Sequence, residues 1–263
     1  MSFVRNKAIK PEYDVAIIGG GVSGLTSAAL LSRAGLSVGV FEMDTRPGGY
    51  LAGFRRKDFR FDSAIHWLNQ CGPKGLVTRV FDFIGNDHPI AEEQPNIKRY
   101  MGDTYNYLLT NKPDDLKDEL VAKFPHEKAG LERFFRDAKQ LGKSFDGLPR
   151  FSRSLETMGF FEKIIFNIQR LEFVTPFLKH IRFTGAEGTV KGLQRYFKDP
   201  EMLKVFGSEE EMLSALVPIG WAYYNDYQSP PKGGSQVFPE WLDYVTETLG
   251  NDVCYQCRVE KIE

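Results

Sequence analysis

Cysteine is scarce in this sequence: Cys71, Cys254 and Cys257 are the only three in 263 residues. Three thiols cannot staple a chain of this length, which excludes a disulfide framework and leaves stability to a hydrophobic core in reducing surroundings. Charge of one sign is also lacking. The 34 Lys and Arg balance 35 Asp and Glu to a net charge of −1, so no global field draws the chain to nucleic acid, and no nucleic-acid partner is expected. There is no uninterrupted apolar run of about 18 residues, as a membrane-spanning helix needs. The opening "MSFVRNKAIKPEYD" has no apolar h-region of the secretory kind. A cytoplasmic or peripheral-membrane location is therefore expected. Repeats and low-complexity segments are missing too. What is abundant is aromatic surface, with 21 Phe, which suits a chain that handles apolar ligands.

The most informative stretch is "YDVAIIGGGVSGLTSAALLSRAGLSVGVFEMD". Val15 to Ile18 reads as a short strand buried on both faces. It runs into Gly19-x-Gly21-x-x-Gly24 and then into a helix with Leu25, Ala28, Ala29 and Leu31 as its apolar side. Gly35 is the natural stop. A second strand, Ser37 to Phe41, ends at Glu42, eighteen residues after Gly24. In this register the glycines allow a tight turn, a close approach to a pyrophosphate and close helix–strand packing, with the anion on the helix N-terminus. Val22 and Ser23 supply the first helical N–H groups. Glu42 can accept from a ribose hydroxyl and disfavours a 2′-phosphate. The expected class is therefore α/β, a Rossmann-like fold with a parallel sheet. The fingerprint alone does not separate NAD from FAD. Arg46-Pro47-Gly48-Gly49 adds a second glycine pair just past the acid, where backbone can approach another part of a long cofactor. "GFRRKDFRFD" follows as a hairpin turning near Lys57-Asp58, with Asp58 suited to left-handed geometry.

Taken together, "AIIGGGVSGL", "FEMDTRPGGYLAGFRRKDFRFDSAIHWL" and "PPKGGSQVFPEWL" resemble the phytoene desaturase, carotenoid isomerase and retinol saturase group. Those are FAD-dependent enzymes acting on long polyenes and other lipophilic substrates, including enzymes of carotenoid biosynthesis. The resemblance implies FAD as cofactor, held by Gly19, Gly21, Val22, Ser23 and Gly24, with Glu42 and Met43 at the adenosine ribose. It implies Arg46, Gly48, Gly49 and Tyr50 near the pyrophosphate and flavin, and Val259 at the adenine. The segment Asp62–His66 is implied to lie near the flavin. His66 is the one candidate for acid–base catalysis; packing beside Trp67 or flavin contact is the competing reading. Ala64 and Asp58 depart from the group, which often carries Gly at both places. Members of the group are also much longer, continuing through more substrate domain to a glycine-rich segment that touches the flavin. A truncated form, or a partner chain completing the flavin site, is therefore expected. Two other classes stay open: an NAD-binding reductase with the same fingerprint, and a non-catalytic nucleotide-binding subunit.

Between the two matching regions the pattern turns helical. "NKPDDLKDELVAKF" and "HEKAGLERFFRDAKQLGKSF" read as amphipathic helices, the second with Leu131, Phe134, Phe135, Ala138 and Leu141 on one face. The stretch 151–183 is basic and rich in Phe, with Phe161, Ile164, Ile165, Ile168 and Leu171 at three- and four-residue steps. Three readings fit it: core or pocket wall, peripheral membrane contact, or a partner surface. An aromatic cluster at Trp221, Tyr223, Tyr224 and Tyr227 precedes Pro230-Pro231. Ser235 then reads as the N-cap of a helix carrying Phe238, Leu242, Val245 and Leu249, followed by a strand from Val253 to Cys257. The cofactor domain is accordingly expected to be split, at 1–100 and 228–263, around a helical substrate or cap region at 101–227. Cys254-x-x-Cys257 falls on that strand, where alternation points the two thiols to opposite faces. No metal site is expected from it.

Overall fold

The computed structural model describes residues 9–151 and 153–263. Residues 1–8 of the expected first segment, and Ser152 within 151–183, lie outside the described residues. In chain order the strands are β1 (Val15–Ile18), β2 (Val38–Phe41), β3 (Phe54–Arg56), β4 (Phe59–Phe61), β5 (Glu92–Glu93), β6 (Asn96–Met101), β7 (Asn106–Thr110), β8 (Gln228–Ser229) and β9 (Asp252–Cys254). The helices are α1 (Val22–Arg33), α2 (Leu76–Ile84), α3 (Pro113–Lys123), α4 (Lys128–Asp146), α5 (Phe160–Leu178), α6 (Gly185–Leu193), α7 (Pro200–Phe206), α8 (Met212–Tyr223) and α9 (Val237–Thr248). The chain divides into two compact units. One runs up to Glu92 and resumes at Gln228–Glu263; the other is Glu93–Tyr227.

The first unit is built on a parallel sheet of order β1-β2-β9. Val38 and Val40 of β2 and Val253 of β9 share a core with Leu25, Ala28 and Ala29 of α1 and with Phe238 and Leu242 of α9. Each fully buried branched side chain there contributes about 1.5–3 kcal/mol. α1 and α9 thus cover one face of the sheet. On the other face the Tyr13 ring lies over Gly39 of β2, its hydroxyl donating to Asp252 Oδ2 at 3.1 Å. The expectation that β1 is buried on both faces is corrected here. β1 is an edge strand, Ala16 is exposed, and Ile18 is 56% exposed. Asn251 ties the sheet to α1: its Oδ1 accepts from Val38 N at 2.7 Å and its Nδ2 donates to Ser32 Oγ at 2.7 Å.

The hairpin β3–β4 forms as read, with Phe54 stacked on Phe61 at 5.1 Å. Its left-handed turn residue is Lys57 (φ 53°), not Asp58. Ser235 is not the N-cap of α9. That position belongs to Gln236, and the Ser235 hydroxyl lies 2.6 Å from Asp62 Oδ1 and 3.0 Å from Leu51 O. β9 ends at Cys254, and the chain bends through Gln256 (φ 57°). Cys257 therefore lies off the strand and strand alternation does not describe it; all three thiols are free of disulfides.

The second unit packs α4 against α8. Leu131, Phe134, Phe135, Ala138 and Leu141 all face inward with Ala215, Leu216, Ile219 and Ala222. The close crossing rests on two glycines, since a Cβ on Gly142 would stand 2.1 Å from Gly220 O. α3 starts on Pro113 at its first turn with Asp114 and Asp115 beside the positive helix end. The unit is largely helical, but it also holds the antiparallel hairpin β6–β7, which buries Tyr100, Tyr107 and Leu109. The pattern 101–227 alone does not reveal that hairpin.

Candidate functional site

The chain turns from β1 into α1 through Gly19, Gly20 and Gly21, and Gly21 is the helix N-cap without a side chain to offer. Helix geometry leaves the first N–H groups of α1, from Val22, Ser23 and Gly24, without intrahelical partners. A Cβ built on Gly19 or on Gly21 meets nothing within 4 Å. Open space therefore lies directly over a run of backbone donors at a helix N-terminus, a cradle suited to a diphosphate. Gly24 meets the opposite condition: its Cβ would stand 2.1 Å from Gly19 O and 3.3 Å from Ile17 Cγ2. That closeness seats α1 on β1.

Glu42, at the end of β2, reaches back to this loop. Its Oε2 accepts from Gly20 N at 2.5 Å and its Oε1 from Asp44 N at 2.7 Å. An ionised carboxylate has about four acceptor positions, so lone pairs remain for a ribose hydroxyl. The second glycine pair closes the same cluster. Gly48 N donates to Gly20 O at 2.8 Å, Gly21 and Gly48 form a parallel bridge, and a Cβ on Gly49 would lie 3.4 Å from Gly21 Cα. The chain past β9 joins it through Cys257 N to Glu42 O (2.8 Å) and Gln256 N to Asp44 O (2.9 Å).

The structure thus brings together Gly19, Gly21, Val22, Ser23, Gly24, Glu42, Gly48 and Gly49. The remaining residues singled out from sequence make no hydrogen bonds to that cluster among the described residues. Met43 is 73% exposed, Tyr50 is 87% exposed, and Val259, two residues beyond Cys257, is 38% exposed. Arg46 lines a cavity of about 180 Å³ beneath the hairpin, with Arg55, Arg60 and Asp62. His66 is exposed, and its ring lies 6.2 Å from that of Trp67.

One residue that holds this frame, Gln236, escaped the sequence reading, as did the bond between Asp62 and Ser235. Gln236 is buried, and it clamps both loops: Oε1 accepts from Gly53 N at 3.0 Å and Nε2 donates to Pro47 O at 2.8 Å. Asp62 accepts from Ser235 N at 2.7 Å as well as from its hydroxyl. The available signal was a polar pair, Ser235-Gln236, directly after Gly233-Gly234 and before an apolar helix. Gln236→Ala strands two buried backbone groups and is expected to lower stability by about 2–3 kcal/mol. Urea unfolding followed by tryptophan fluorescence checks it; a loss below about 0.5 kcal/mol, the usual range of a neutral surface change, would show that other contacts hold the loops.

A parallel sheet, a glycine turn feeding a helix N-terminus and an acid closing over the turn define a Rossmann-like dinucleotide-binding fold. A family profile described as "NAD(P)-binding Rossmann-like domain" matches residues 17–84. Among curated proteins, the chain is 26% identical to an inactive all-trans-retinol 13,14-reductase of Danio rerio, covering 98% of this chain and 45% of the relative. It is likewise 26% identical to the chloroplastic prolycopene isomerase of Arabidopsis thaliana, over 95% of this chain and 43% of the relative. The resemblance read from the sequence holds in these comparisons, and the chain spans less than half the length of those two relatives. Among solved structures, a triple mutant from a redesign of cofactor binding in putrescine oxidase superposes with a TM-score of 0.50 at 17% identity, covering 94% of this chain and 51% of that one. That likeness concerns the fold.

Proposed function

We propose that this chain is the FAD-binding part of an oxidoreductase or isomerase acting on a lipophilic, polyene-like substrate. The observation that carries the reading is the glycine cradle over α1, closed by Gly48 and set by Glu42. Relatives named for a polyene isomerisation and a retinol reduction, matching nearly the whole chain, support the substrate class. Bound FAD supplies hydride or electron transfer to a carbon chain. The chain's own residues bind and orient. Backbone N–H groups of Val22, Ser23 and Gly24 hold the diphosphate, Glu42 accepts from the adenosine ribose, and the segment after β9, carrying Val259, borders the adenine. The unit 93–227 is assigned the substrate side, and a partner segment or chain would complete the flavin cover.

Incubation with FAD, NADH and ADP in separate titrations tests the cofactor. Expected is retention of a flavin spectrum after gel filtration, with FAD bound more tightly than ADP. Glu42→Ala should weaken FAD binding at least about 30-fold, by loss of a charged hydrogen-bond acceptor worth about 2 kcal/mol, and Glu42→Gln less so. Binding of NADH but no FAD would overturn the assignment in favour of a reductase using nicotinamide. A second reading, a nucleotide-binding protein without catalysis, is favoured by one observation: the Danio rerio relative that covers 98% of the chain is named inactive. Bleaching of the bound flavin on anaerobic addition of a polyene, or isomerisation of that polyene by the reduced form, separates the two.

A further inference from the structure

Helix α5 keeps its apolar residues outside. Phe160, Phe161, Ile165, Ile168, Leu171 and Leu178 are each more than half exposed, between 55% and 77%. The opposite side packs inward through Phe166, which is buried, and through Phe173 and Phe177, whose rings meet Phe145 of α4 edge-to-face. The sequence reading of core or pocket wall therefore does not describe these outward residues. α5 is 19 residues long, or about 28 Å at 1.5 Å per residue, and it exposes an apolar strip along that whole length. A strip of this size is far beyond the scattered apolar residues of an ordinary surface.

What borders the strip identifies its occupant. Lys163 and Arg170 run along one edge. Along the other lies a cavity of about 540 Å³ between α4 and α5, whose rim carries Lys143, Arg150 and Lys179 over a floor of Phe151 and Phe173. None of these five cations has a hydrogen-bond or ion-pair partner for its side chain among the described residues, and Glu172 is the one carboxylate on the cavity rim. The proline at position 176 removes the N–H that would have bonded the Glu172 carbonyl. An apolar strip with unpaired cations on both long edges matches the cross-section of a bilayer surface, where acyl chains meet anionic phosphates. No helix among the described residues is long and apolar enough to cross a membrane, so a bilayer contact of α5 would be interfacial.

We infer that α5 docks the protein on anionic phospholipid bilayers, with its apolar strip among the acyl chains and the α4–α5 cavity taking lipid phosphate head groups. The surface belongs to the unit 93–227 alone and does not depend on the cofactor assignment. Flotation of the full chain with vesicles of phosphatidylcholine, with and without phosphatidylglycerol, tests it. Expected is flotation with the anionic vesicles only, weakened by salt because surface charges are screened. Lys143→Gln with Lys179→Gln should lower the partition coefficient about 25-fold, at about fivefold per basic residue near a charged surface. Ile168→Glu with Leu171→Glu should abolish flotation, and both sites are exposed, so circular dichroism should stay unchanged. Equal flotation with neutral vesicles, or no effect of the lysine pair, would overturn the head-group assignment. Failure of the wild-type chain to float would overturn the docking surface. So would a self-association in analytical ultracentrifugation that the glutamate pair abolishes, which would give the strip to a second copy of the chain.

Discussion

Gly24→Ala is expected to destabilise the nucleotide-binding unit by about 3 kcal/mol, the upper end of overpacking costs, and to lower dinucleotide affinity at least tenfold. The added Cβ would stand 2.1 Å from Gly19 O. That neighbour is backbone, so relief requires either α1 to lift from β1 or the turn to change shape. Lifting α1 strips Leu25, Ala28 and Ala29 from their contacts with β2. Changing the turn moves the donors that face the open space. Thermal unfolding of the free protein and calorimetric titration with FAD measure the two parts separately. Gly21→Ala is the informative companion, because its Cβ meets nothing within 4 Å. It should spare the free protein and harm binding alone. Equal melting temperatures for Gly24→Ala and the parent would refute the packing argument.

The second large effect lies in the other unit. Gly142→Val should unfold it, or cost more than about 3 kcal/mol. α4 and α8 cross where Gly142 and Gly220 face each other: the Cβ of one would stand 2.1 Å from the carbonyl oxygen of the other, and a Cβ on Gly220 would stand 2.5 Å from Ala138 O. No rotamer avoids a contact made by the Cβ itself. Separation of the helices would expose Phe134, Phe135 and Leu216 together. Far-ultraviolet circular dichroism and dye binding to exposed apolar surface should both change. A variant retaining the parent's urea midpoint would show that the helices can slide apart without penalty.

The parts of this protein that follow from local chemistry were legible in its sequence. β1, α1 and β2 fall where strand, glycine turn and amphipathic helix patterns put them, because each pattern is set by neighbours within about four residues. α3 and α4 were legible for the same reason, Leu131 to Leu141 giving a single apolar side. What failed depends on distant residues. Whether β1 is covered on its second face is decided by what lies beyond Ile18, and nothing in "VAII" encodes it. Ser235 has the chemistry of an N-cap, yet Asp62, far away in sequence, competes for its hydroxyl and wins with a charge. The strand through Cys257 was overextended because Gln256 adopts left-handed geometry, which its side chain does not announce. In α5 the periodic Phe and Ile positions fixed the helix and its apolar side. The side on which the rest of the unit packs was set by Phe145 of α4, so the sequence pattern could not tell inward from outward.

The bond from Gly20 N to Glu42 Oε2 also bears on timing. The loop proposed to receive the diphosphate is tethered to the acid proposed to receive the ribose, so the two parts of that proposed seat are held together without a ligand. Ordering entropy for that stretch has been spent during folding. On the proposed assignment a dinucleotide would meet a seat already formed, bordered by the exposed Met43, Tyr50 and β3–β4 hairpin.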